Sequence, residues 1–309
     1  MSQAAPRPFA GIELGGTKCV LTLALGPDRI LAQETVPTQA PEATLSALET
    51  ILARWWAETG FAALGIASFG PVCLDFANPQ FGHILTTSKP GWSGTNVARR
   101  LAAPYAVPMA FDTDVNGAAL AEMRWGAGQG LRDFAYVTVG TGVGVGLVVH
   151  GLPTRGIGHC EMGHIRVPRL PDDGAPSGCP FHDDCIEGLA SGTGIRAALG
   201  DEPVETVAAD HPVWNRVASA IALLCHTLVA TSGPQRIAIG GGVIQRQLHL
   251  LDRIDPLLRD SIAGYLEVPP APYVVAPALG DLAGSLGPIA LAMSALDRAH
   301  AGFPVEKVA

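Results

Sequence analysis

Three short apolar runs, "FAGIELGG", "KCVLTLAL" and "RILAQETV", follow one another across residues 9–36 with only tight connections between them, a pattern that predicts antiparallel strands. The period then changes. Within "PEATLSALETILARWWAETG", Leu45, Leu48, Ile51, Leu52 and Trp55 recur at three- and four-residue steps and Gly60 closes the pattern, which predicts an amphipathic helix. A strand at "ALGIASFG", a Gly/Pro-rich loop over 71–94, a helix from Asn96 and a strand at "VPMAFDTD" complete a first half. The second half opens with a helix from Asn116 and continues with "FAYVTVGTGVGVGLVVH", a further Gly-pivoted hairpin. Helices over about 189–199 and 213–231, a strand "RIAIG", a helix from about Val243, a strand "YVVAPA" and a final helix from Asp281 follow. Alternating strands and helices imply an α/β fold.

Laid over each other, "IELGGTKCVLTLAL" and "VTVGTGVGVGLVVH" both run apolar strand, Gly/Thr turn, apolar strand, with Gly15 matching Gly140. Two lobes built on one plan account for this echo, and so does the recurrence of turn chemistry in unrelated hairpins.

Composition narrows the class. A chain of 309 residues at 48% hydrophobic content can bury a large core and leans towards two domains. A net charge of −8 without a basic stripe argues against a nucleic-acid surface and an anionic membrane face, so small molecules are the expected partners. The N-terminus lacks the charged and apolar segments of a signal peptide. The longest uncharged apolar stretch, 217–235, contains His226, Thr227, Thr231, Ser232 and Gly233, and reads as a buried helix instead of a membrane span. A reducing cytoplasmic location follows, in which persistent disulfides are rare.

Three Gly-rich turns are candidate phosphate cradles: Gly15-Gly16-Thr17-Lys18, Gly140-Thr141-Gly142-Val143-Gly144 and Gly240-Gly241-Gly242. Glycine lets backbone N–H groups converge on an anion without a side chain in the way. None has the P-loop order, and the second leads into a strand where a dinucleotide fingerprint leads into a helix. Lysine is scarce: only Lys18, Lys89 and Lys307 occur among 20 basic residues. Lys18 is therefore either a compact ammonium kept beside a phosphate or a plain strand-edge lysine.

"AFDTDVNGAALAEMRW" places Asp112 and Asp114 at a strand end just before a helix, where α/β proteins carry ligand chemistry. Strand alternation puts both on one face, and the helix N-terminus favours their ionised forms. Such a carboxylate can accept a hydroxyl proton during phosphoryl transfer, or it can simply cap the helix.

"GIGHCEMGHIRVP" and "CPFHDDCIEGLASG" supply a dense set of ligands: His159, Glu161, His164, Cys179, His182, Cys185 and Glu187. Disulfide, nucleophile and metal site are the three chemistries open to it. Cys179, His182 and Cys185 can fold around one zinc ion with His164 as the fourth ligand, a closed tetrahedral site of structural type. A Cys/His dyad leaves Cys185 without an orienting partner and two cysteines unexplained.

The whole set resembles the ROK (repressor, open reading frame, kinase) family of sugar kinases, in its fructokinase branch. The resemblance runs from "GIELGGTK" through "GPV", "TSKPGW", "DTDVNGAALAE", "TVGTGVGVG", "EMGH", "CPFHDDCIEGLASG" and "IGGGV" to "LGDLAGSLG". It implies the two-lobed actin-like ATPase (ribonuclease H-like) fold with an interlobe active-site cleft. The expected lobes are residues 1–115 and 116–309, the final helix packing back on the first. It implies ATP-dependent phosphorylation of fructose to fructose 6-phosphate with magnesium, Asp114 as general base, and Glu161, His164, Glu187 and Thr113 on the sugar. Gly15, Gly16, Thr17 and Lys18, with Thr141, Gly142 and Gly144, are implied to hold phosphate, and Gly240, Gly241 and Gly242 the adenosine. Structural zinc on His164, Cys179, His182 and Cys185 and a homodimer are implied as well. Thr113, where glucokinase-type members carry Asn, and the His-containing "CPFH" point to fructokinase. Glu13 stands where many relatives carry Asp. The alternatives are a broader hexose kinase acting on mannose or glucose, and a non-catalytic sugar-responsive regulator.

Overall fold

The computed structural model describes residues 6–155 and 158–301, which fall into two compact units. The first takes the described residues of Met1–Trp125, Arg155–His159 and Asp281–Ala309, and the second those of Gly126–Thr154 and Cys160–Gly280. The first unit thus includes the helix that ends at Trp125 and the last described helix.

In the first unit β1 (Phe9–Leu14), β2 (Lys18–Gly26) and β3 (Arg29–Pro37) form the expected antiparallel meander. β4 (Leu64–Ser68) and β5 (Met109–Thr113) add in parallel beyond β1, giving the order β3-β2-β1-β4-β5. The helix α1 (Pro41–Glu58) starts with proline at its first position and stops before Gly60, whose φ of 64° suits glycine. Its Leu45, Leu48, Leu52 and Trp55 are buried in a core with the sheet and with Val72, Phe81, Ile84 and Trp92 of the 71–94 loop. The helix from Asn96 is a short α2 (Ala98–Ala102). Opposite it in sequence, α3 (Asp114–Trp125) and α9 (Leu282–His300) approach backbone to backbone. A Cβ on Gly287 would lie 2.8 Å from the Gly117 carbonyl carbon, and one on Gly65 of β4 would lie 1.9 Å from the Pro288 oxygen. Glycine at these strand and helix positions is required by close packing, not by turn geometry.

The second unit repeats the plan. β6 (Phe134–Val139) pairs antiparallel with β7 (Val143–Val149) and parallel with β9 (Ile237–Gly240), in the order β10-β9-β6-β7-β8. Read from its other edge, this is the order of the first sheet with each strand advanced by five, so the hairpin echo reflects a duplicated topology. Two edge strands, β8 (Leu152–Pro153) and β10 (Val274–Val275), have two residues each, too short for a periodic signal. The helix expected over 189–199 is two: α4 (Ile186–Ala190) and α5 (Gly192–Leu199), broken at Ser191, whose hydroxyl accepts the Gly194 N–H at 3.0 Å. The stretch after Gly241 likewise splits into α7 (Gly242–Arg246) and α8 (His249–Ile262). The apolar stretch at 217–235 falls on α6 (Pro212–Ser232), long and apolar enough to cross a membrane, yet with two-thirds of its most apolar window buried in the core.

Candidate functional site

The first Gly turn joins β1 to β2 and turns all its carbonyls to internal partners. Thr38 Oγ1 donates to Gly15 O at 2.7 Å, the Thr38 N–H to Thr17 O at 2.9 Å, and the Gly15 N–H to Lys18 O at 3.1 Å. The fourth carbonyl, that of Gly16, accepts from Lys89 Nζ. A Cβ on Gly15 would sit 2.7 Å from Lys18 O, whereas Gly16 faces open space. Thr17 and Lys18 are exposed. Such a turn can offer amides and an ammonium to an anion.

Asp114 opens α3 in the same unit, half-buried, with Oδ1 accepting the Val115 N–H at 2.9 Å. Helix capping falls to Thr113, whose Oγ1 accepts the Asn116 N–H at 3.2 Å. Thr113 is 5% exposed, so its hydroxyl oxygen serves the helix first. The strand ends at Thr113, and the alternation expected to align Asp112 with Asp114 ends with it. Asp112 is fully buried: Oδ1 accepts from Asn116 Nδ2 at 2.7 Å and the Thr113 N–H at 2.8 Å, and Oδ2 pairs with Arg155 Nη2 at 2.8 Å. This engagement makes Asp112 a scaffold for the start of α3. Glu13, at the end of β1, has its carboxylate against Gly284 of α9. Burial, with Asp114 nearby, holds the Glu13 carboxyl above its ordinary range, and Lys18 pulls the other way. Two carboxylates and two lysines therefore meet at one end of the first sheet.

In the second unit the turn between β6 and β7 is held from below by α4 and α5. The Gly192 N–H donates to Gly140 O at 2.7 Å, Thr193 Oγ1 to Thr141 O at 2.9 Å, and the Val143 N–H to Glu187 Oε2 at 3.1 Å. Gly142 packs on that carboxylate: a Cβ there would lie 2.5 Å from Glu187 Oε2. At the end of β9, Gly240 lies under Pro277, and Gly241 takes a φ of 88° as α7 begins, with its Cα against Val139.

His164, Cys179, His182 and Cys185 come together with their ligand atoms all within 4.8 Å. His164 Nδ1 lies 3.8 Å from both sulfurs, and His182 Nδ1 lies 3.7 Å from Cys179 Sγ. Zinc–sulfur and zinc–nitrogen bonds of about 2.3 and 2.0 Å imply a tetrahedral edge of about 3.5 Å, so this donor set fits the ion. All six cysteines are unbridged, which removes the disulfide reading. The Phe181 and Gly188 N–H groups donate to Cys179 and Cys185 at 3.4 Å each, as amides do to thiolates. Burial pushes the Cys185 thiol up to about 11, so a thiolate there calls for a cation. His164 Nε2 faces Glu187 Oε1 at 3.8 Å, the carboxylate-behind-histidine arrangement of many metal sites. Glu161 is exposed immediately before the 3-10 turn Met162–His164. Glu187 therefore touches both the metal-type cluster and the second Gly turn.

Sequence reasoning missed Lys89 on the first turn, Arg155 on Asp112, and Gly163. The lysine scarcity that marked Lys18 applied equally to Lys89. Gly163 carries no signal of its own, yet a Cβ there would lie 2.1 Å from Val143 O. Gly163→Ala is expected to lower stability by about 1–3 kcal/mol through that backbone clash. Thermal unfolding checks it; an unchanged Tm would show that the turn accommodates the methyl group.

The ROK family model matches residues 9–295. The fructokinase of Zymomonas mobilis subsp. mobilis is 42% identical over 295 residues, covering 93% of this chain and 97% of the relative. That of Pediococcus pentosaceus is 36% identical over 297 residues, covering 94% and 99%. Among solved structures, the ROK hexokinase from Thermus thermophilus superposes with a TM-score of 0.75 at 28% identity, over 94% of this chain and 99% of that one.

Proposed function

We propose that this chain, which belongs to the ROK family and is an ATP-dependent sugar kinase of actin-like ATPase fold, acts on fructose and yields fructose 6-phosphate. The observation that carries the sugar kinase to fructose is the full-length likeness to two fructokinases. Thr113 and the "CPFH" pattern point the same way.

Asp114 is the general base. It heads α3 at the end of the first sheet, in the unit that carries the Gly15–Lys18 turn, and a helix N-terminus favours negative charge. It accepts the proton of the acceptor hydroxyl as that oxygen bonds to the γ-phosphorus and the bond to the β-phosphate oxygen breaks; ADP leaves with the released electron pair. The amides of the two Gly turns and Lys18 stabilise charge on the transferred group. Gly240–Gly242 form the adenosine turn. Magnesium bound with ATP would supply neutralisation of phosphate charge, and Glu13 and Asp114 are the carboxylates that would hold it. Glu161, His164 and Glu187 hold sugar hydroxyls. Zinc on His164, Cys179, His182 and Cys185 orders the loop that joins these residues, and no reacting water is assigned to it. The protein works on small molecules in the cytoplasm, as a homodimer.

Fructose is expected to exceed glucose in kcat/KM. Thr113 offers one hydroxyl whose oxygen already caps α3, leaving fewer hydrogen bonds for a pyranose than Asn would provide. A coupled assay of ADP release over a panel of hexoses tests this; faster turnover of glucose at equal low concentration rejects fructose as the preferred substrate and leaves the kinase.

A further inference from the structure

Lys89 lies in the 71–94 loop, far in sequence from the turn it touches, and its ammonium donates to the Gly16 carbonyl. The other three carbonyls of that turn are held by fixed framework, two by Thr38 and one by the turn itself. Only the Gly16 carbonyl depends on the tip of a long flexible side chain. The loop does not need that bond for its position. Three residues on, Trp92 is fully buried, its Nε1–H donates to Gln39 O at 2.9 Å, and its N–H to Lys89 O at 3.2 Å. The loop is thus anchored beside Lys89, and the ammonium can leave without releasing it. A neutral carbonyl is a weak partner for an ammonium compared with a phosphoryl oxygen. Lys18 and Lys89 are the only lysines among the described residues, and both serve this turn.

We infer that Lys89 is a phosphate-binding residue of the kinase, resting on the Gly16 carbonyl in the free protein and transferring to a phosphoryl oxygen of ATP when nucleotide occupies the turn. The inference rests on the kinase reading above. It makes the turn bidentate in lysine: Lys18 comes from the β2 side and Lys89 from the loop side.

Lys89→Met and Lys89→Arg in the full chain test it. In Lys89→Met, kcat/KM for ATP is expected to fall about 30- to 300-fold, as for loss of one donor to a developing oxyanion. The fructose KM is expected to stay within about threefold, and the unliganded Tm to stay unchanged. Lys89→Arg, which keeps the charge, is expected to recover at least about a tenth of wild-type kcat/KM. A mere tether predicts a lower unliganded Tm, a parallel loss for ATP and fructose, and no rescue by arginine; that outcome overturns the assignment. The rise in Tm on adding MgATP separates this question from the choice of sugar. If the wild type phosphorylates no hexose, the kinase reading falls, while an equal MgATP-induced rise in wild type and Lys89→Met overturns the role of Lys89 by itself.

Discussion

Asp114→Asn is expected to cut turnover by about two to four powers of ten while leaving ATP affinity within a few-fold. Asn keeps the shape of the side chain and its acceptance of the Val115 N–H, so α3 should start where it does now. What it loses is the capacity to take a proton. The fall should therefore lie in kcat and not in the fructose KM. Turnover within tenfold of wild type would reassign the base. Asp112 is a poor second choice on the geometry, since both its oxygens are occupied by Arg155, Asn116 and the Thr113 amide. Asp112→Asn should instead behave as a scaffold lesion, with loss of stability from the broken pairing of the buried Asp112 carboxylate with Arg155.

Purified protein is expected to contain one zinc per chain, and Cys179→Ser to lose it. Removing one of four donors from a closed site exposes the remaining buried thiol and two imidazoles to an uncompensated pocket, so the Tm should fall markedly. The catalytic consequence should be selective. His164 faces Glu187, and Glu187 holds the Val143 amide of the second Gly turn. The hexose KM should rise by an order of magnitude or more as Glu161 and Glu187 loosen together, and the KM for ATP should rise less, through the Val143 amide alone. Metal analysis with thermal unfolding settles it: absent zinc with unchanged Tm and hexose KM rejects the metal site.

Much of this was legible in the chain because periodicity and turn chemistry are local. The meander at 9–36, α1 with its Leu45-Leu48-Leu52-Trp55 stripe, and the two Gly hairpins required no tertiary knowledge. The metal-type cluster was legible too, since three of its four residues lie within seven positions. Failures came where tertiary contacts decide. Ser191 stops one helix and caps the next, so 189–199 could not be split by apolar spacing. Asp112 and Asp114 look alike in sequence. They separate only because Arg155, 43 residues on, claims the first. Lys89 reaches Gly16 across 73 residues, a pairing that no local pattern encodes.

The helix α9 has a consequence for how the protein is made. It packs against β1, β4 and α3, filling the grooves that Gly11, Gly65 and Gly117 leave open, yet it is the last described helix to leave the ribosome. The whole second unit is synthesised before it. The first sheet, although complete by Thr113, must therefore wait with an apolar face uncovered, and the structure at Asp114 cannot be final until residue 300 has emerged. Nascent chains stalled ahead of Leu282 should bind hydrophobic dyes and yield to protease within β1–β5, and release of α9 should close that window in a single step.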